Sequence, residues 1–128
     1  AYVIWEGGAQ DSSTVLFLSS GSEVSLCIEA AKRLVAEGKS ARVVSMPSWD
    51  RFFAQKCDYR EQVIPEVMKK RVIVEAGVRF GWDRIRLDYK TTKFVTIDHY
   101  GASAPYKVLA EEFGFTPEHV YEVAKTIA

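Results

Sequence analysis

Residues 14–46 read TVLFLSSGSEVSLCIEAAKRLVAEGKSARVVSM. Thr14–Ser19 is a near-continuous apolar run, the pattern of a strand covered on both faces. Ser20 and Glu23 follow at capping-box spacing, with the serine side chain free to bond a first-turn amide. Val24, Cys27, Ile28, Ala31, Leu34 and Val35 recur at three- and four-residue steps, which gives a helix one apolar face. Gly38 is placed to end that helix. Ala41–Met46 is a second buried strand, stopped by Pro47. Strand, helix and strand with short connections make a βαβ unit. That unit implies parallel pairing and a right-handed crossover.

The pattern extends in both directions. Tyr2–Trp5 (YVIW) is rich in β formers and predicts a short strand. Gly7, Gly8, Asp11, Ser12 and Ser13 supply the loop after it. Residues 48–55 (SWDRFFAQ) predict a short helix capped by Ser48, with Trp49, Phe52 and Phe53 facing inward. Residues 58–64 predict another turn of helix before Pro65. Arg71–Glu75 carries a third buried strand, Phe80–Ile85 reads as helical, and Phe94–Ile97 is the last strand. Ala104–Phe113 and Thr116–Ile127 close the chain as helices. Gly114 stands at the stop between them, and Phe115 folds back onto the helix that ends there. Thr116 caps the final helix, Pro117 takes its favoured first position, and Val120, Val123, Ala124 and Ile127 form its apolar stripe. Alternating strands and helices around one sheet predict a single three-layer α/β/α domain over residues 1–128.

The bulk properties exclude more than they assign. A chain of 128 residues buries roughly two-thirds of its unfolded surface, enough for a core without staples. Lys+Arg and Asp+Glu are 17 each, so there is no electrostatic case for nucleic acid or an acidic membrane. No apolar run is long enough for a transmembrane helix and no signal peptide is present, which predicts a cytoplasmic protein. Cys27 and Cys57 are the only cysteines. They form neither a Cys-x-x-Cys pair nor a disulfide framework. Cys27 falls on the apolar helix face as a small core residue, and Cys57, in a polar stretch, reads as an exposed thiol. The first residue is Ala1 rather than Met, as in a piece of a longer protein.

Several motifs invite chemistry and are weighed against plainer roles. Ser20-Gly21-Ser22-Glu23 follows a strand and opens a helix, where backbone amides can hold an anion. One glycine is not a dinucleotide fingerprint, and no Gly-Lys-Ser/Thr loop exists. Capping is the favoured role there, with a phosphorylated metabolite at Ser20–Glu23 as the alternative. Gly101-Ala102-Ser103-Ala104-Pro105 has proline where a nucleophile elbow needs its second glycine. Ser103 is therefore favoured as a helix cap. His99, at the carboxyl end of the last strand, occupies the edge where α/β sheets gather their sites. Packing is still the commoner role for a single histidine in that place. Arg79, Arg84, Arg86 and Lys90 surround Trp82 and Tyr89. With zero net charge and no RNA-binding motif, a solvated face or a protein interface is favoured.

The blocks Ser20–Glu23, Ala41–Ser48, Tyr59–Pro65, Arg71–Trp82 and Asp98–Thr116 carry a resemblance over nearly the whole chain. Met46-Pro47-Ser48, Val74-Glu75-Ala76-Gly77, Gly101-Ala102-Ser103-Ala104-Pro105 and Glu111-Glu112-Phe113-Gly114-Phe115 stand in an order and spacing that resemble the C-terminal domain of transketolase. Related ketoacid dehydrogenases and deoxyxylulose-phosphate synthase share this domain, but the last two blocks favour transketolase. The chain departs from the family between Arg84 and Lys93 (RIRLDYKTTK), where bacterial members carry glycines.

The resemblance implies a five-strand mixed sheet with the first strand antiparallel. It implies a parent transferase of the pentose phosphate pathway that moves two-carbon ketol units between sugar phosphates. The family uses thiamine diphosphate with magnesium or calcium, held by the first two domains. The metal-binding Gly-Asp-Gly motif and the substrate-gripping residues have no counterpart here, so no catalytic, cofactor or metal residue is carried over. The expected partners are the remaining domains of the same polypeptide, in a homodimer, with no nucleic acid or membrane. Glu75, Arg79, Phe80, Trp82, His99, Tyr100 and Ser103, on loops leaving the third and last core strands, are the candidate interface or regulatory residues. Ser20, Gly21 and Ser22 are the candidate anion-binding residues.

Overall fold

A computed structural model describes residues 2–19, 23–46, 49–75, 90–96 and 116–128, with positions 49, 50, 75 and 96 described by their backbone alone. Five strands form one sheet: β1 (Tyr2–Gly7), β2 (Val15–Ser19), β3 (Ala41–Ser45), β4 (Lys70–Glu75) and β5 (Thr92–Thr96). Four helices are described: α1 (Val24–Ala36), α2 (Trp49–Ala54), α3 (Cys57–Val63) and α4 (Pro117–Lys125). The strand order is β1-β3-β2-β4-β5. β2 pairs in parallel with both β3 and β4, β4 pairs in parallel with β5, and β1 is antiparallel to β3. The mixed sheet expected from the resemblance is the one observed.

The apolar run in β2 has a direct physical explanation. Side chains alternate between the faces of a strand, so Val15 and Phe17 enter one core while Leu16 and Leu18 enter the other. All four are fully buried. On the first face α1 and α4 pack over Val15, Phe17, Val43, Val72 and Val74, contributing Cys27, Ala31, Leu34, Val120 and Ala124. On the second face Phe52 of α2, Val63 of α3, Ile64 and Met68 cover Leu16, Leu18, Val44 and Ile73. These are the three layers read from the sequence.

Local chemistry sets most of the element ends. Thr116 Oγ1 accepts a hydrogen bond from the His119 amide at 3.2 Å, and Pro117 opens α4 where a missing N–H does no harm. Gly38 follows α1 at φ +86°, a conformation that costs glycine little. Gly8 has φ +77°, and a Cβ there would lie 2.9 Å from the Ser40 Cα. Some boundaries differ from expectation. α1 begins at Val24 with Glu23 as its cap residue, not its third residue, and Glu23 makes no side-chain cap bond; Ser20 and Ser48 lie outside the described residues. β1 runs on to Gly7 through its ladder with β3. β5 starts at Thr92 because Thr92 and Lys93 pair with Arg71 and Val72; tertiary pairing, not apolar character, decides that end. The expected helices at Phe80–Ile85 and Ala104–Phe113 fall outside the described residues.

Two arginines that the sequence reading passed over fasten the second face. Arg42 of β3 donates from Nη1 to the Gln62 carbonyl at 2.7 Å and pairs with Glu6 of β1 at 3.1 Å. Arg71 of β4, only 3 % exposed, donates to the carbonyls of Met68 at 2.8 Å and Pro65 at 3.2 Å. Desolvation by burial lowers the Arg71 pKa, opposed by Glu61 and Glu66. A guanidinium stays protonated even so. The two side chains therefore occupy carbonyls at and just beyond the end of α3, which a short helix leaves without intrahelical partners.

A polar latch joins the two helices of the first face. Tyr121 of α4 donates its hydroxyl to Glu37 at the end of α1. Lys125 Nζ lies 3.7 Å from the same carboxylate, and the Arg33 guanidinium sits 4.1 Å above the Tyr121 ring. The Tyr121 hydrogen bond, followed by the charge of Lys125, holds the Glu37 carboxyl below its ordinary range, while Lys125 is raised, first by Tyr121 and then by Glu37.

Two predictions follow from this packing. Leu34 is fully buried between α1 and the sheet, so Leu34→Ala lowers the unfolding free energy by about 2–5 kcal/mol in urea titrations. A lowered carboxyl pKa stabilises the fold above the ordinary carboxylate range, and that stabilisation is lost as pH falls through the folded value. Tyr121→Phe therefore moves the Glu37 titration upward, read by carboxyl carbon NMR. An unmoved titration would remove the latch from the account.

Candidate functional site

The strand order creates one topological switch point. From β2 the chain passes through α1 to β3 on one side, then crosses back to β4 on the other. Ligands of open α/β sheets bind where neighbouring strands leave in opposite directions, beyond their carboxyl ends. Here that crevice lies at the ends of β2 and β4, where Ser19 pairs with Val74 and, on its other side, with Ser45. Glu75 is the last residue of β4, opposite Thr96 of β5.

Ser20, Gly21 and Ser22 follow the end of β2, and Glu75 ends β4. The rest do not enter the geometry: Arg79, Phe80, Trp82, His99, Tyr100 and Ser103, like Ser20, Gly21 and Ser22, lie outside the described residues, and Glu75 is placed by backbone only.

The described residues at this edge are buried. Ser19 and Met46 are buried, and the Met46 amide donates to the Ser19 carbonyl at 2.8 Å. Glu23 is 4 % exposed at the start of α1. An acidic residue at the cap position of α1 disfavours a second anionic group beside it. Among the described residues no group of three or more His, Cys, Asp or Glu side chains is arranged to hold a metal ion.

A shallow cavity of about 440 Å³ opens at the opposite, amino-terminal edge of the parallel strands, lined by Gly8, Ser13, Gly38, Lys39, Ser40 and Lys70 among others. The lysines give it positive charge, but α1 ends beside it. The partial negative charge of a helix carboxyl end offsets those ammonium groups. Its buried hydroxyls are also used internally: Thr14 and Ser40 bond each other at 3.0 Å. This cavity is distant from the switch point and does not share its topology.

The two cysteines differ in their surroundings. Cys27 is buried, and desolvation, then the nearby Glu23 charge, pushes its thiol far up. Cys57 is exposed at the start of α3, with Arg60 Nη2 donating to its sulfur at 3.0 Å. No described histidine lies beside it; the one described histidine, His119, is an exposed first-turn residue of α4.

A model of the transketolase-like C-terminal domain matches residues 1–116. The chain belongs to that family. It is 46 % identical over 127 residues to the transketolase of Halalkalibacterium halodurans, a match that covers 99 % of this chain and 18 % of the relative. Among solved structures, transketolase from Leishmania mexicana is 42 % identical with a TM-score of 0.72, covering 88 % of this chain and 16 % of that one. A Pichia stipitis transketolase, solved in complex with sedoheptulose 7-phosphate, is 30 % identical with a TM-score of 0.77, covering 96 % and 17 %. The chain thus spans less than a fifth of the length of the transketolases it matches.

Thiol chemistry tests the burial argument for the cysteines. An aromatic disulfide reagent modifies Cys57 in the native chain, whereas Cys27 reacts only on a timescale set by unfolding. Equal native rates would mean that the α1 face is not packed as described.

Proposed function

We propose that this chain is the non-catalytic C-terminal domain of a transketolase that transfers two-carbon ketol units between sugar phosphates in the pentose phosphate pathway. Thiamine diphosphate and its magnesium or calcium ion are held by other domains of the parent, which is a cytoplasmic homodimer. The contribution of this domain is packing: it stabilises the neighbouring catalytic region or the dimer. The family match over residues 1–116 is the observation that carries this reading.

The carboxyl edge is the place for contacts with those partners. Glu75 stands there, and Arg79, Phe80, Trp82, His99, Tyr100 and Ser103 follow β4 and β5 in sequence. The edge is also where a regulatory ligand would bind in a sheet of this topology. A stand-alone domain holding a phosphorylated metabolite at Ser20–Glu23 is the weaker reading, because the sequence there has no phosphate-loop motif and an acidic residue, Glu23, stands at the cap position of α1.

The full-length parent, prepared with and without residues 1–128, provides the test. Removal lowers the thermal midpoint of the remaining domains or shifts them from dimer toward monomer in sedimentation. If both quantities stay unchanged, the packing role is wrong.

A further inference from the structure

We draw no further inference here: the strongest candidate, the shallow cavity at the amino-terminal edge of the parallel strands with Lys39 and Lys70 in its wall, carries nothing, because the carboxyl end of α1 offsets its positive charge, its buried hydroxyls bond each other, and nothing in the structure shows what covers it.

Discussion

The double burial of β2 is the constraint on which the other elements depend. A strand with both neighbours in the ladder and both faces covered has no access to water, so every side chain on it must be apolar or hydrogen-bonded. Val15, Leu16, Phe17 and Leu18 meet that demand at zero exposure. Their alternation assigns α1 and α4 to one face and α2 and α3 to the other. A one-residue slip of this strand would exchange the two cores, and with them the partners of every helix. The same strand separates β3 from β4, so it also creates the switch point at the carboxyl edge.

The two faces are fastened differently. Two full-length helices, α1 and α4, cover the first by ordinary apolar packing, and the Tyr121–Glu37–Lys125 cluster joins their exposed rims. The second is covered by helices of 6 and 7 residues, too short to be stable by themselves. There Arg42 and Arg71 reach from the strands on either side of β2 to the carbonyls of α3 and the loop after it. Polar side chains rising from the sheet thus compensate for short helices, while a longer helix needs only its apolar stripe. No catalytic constellation competes with these roles among the described residues.

The βαβ unit was legible from residues 14–46 alone, because the run of apolar residues, the helical spacing and Gly38 agree with one another. The final helix was equally plain from Thr116-Pro117 and its stripe. Arg42 and Arg71 were passed over because an arginine at a strand start looks the same whether it points to water or to a carbonyl, contributed 20 residues later for Arg42 and three or six residues earlier for Arg71. Their signal was a charged residue inside an otherwise buried run. Tyr121 was not singled out for a similar reason: its hydroxyl partner is 84 positions away. Of the candidate site, the sequence supplied residue names, and the sheet order supplied the switch point at the ends of β2 and β4.

The sequence by itself determined the local elements, their apolar faces and the family to which the chain belongs, because periodicity, caps and motif spacing are all encoded over a few neighbouring positions. The tertiary structure decided the strand order, the antiparallel setting of β1 and the bulge at Ile4. Those depend on which distant segments meet, and the hydrogen bonds of a sheet join strands without regard to their separation along the chain.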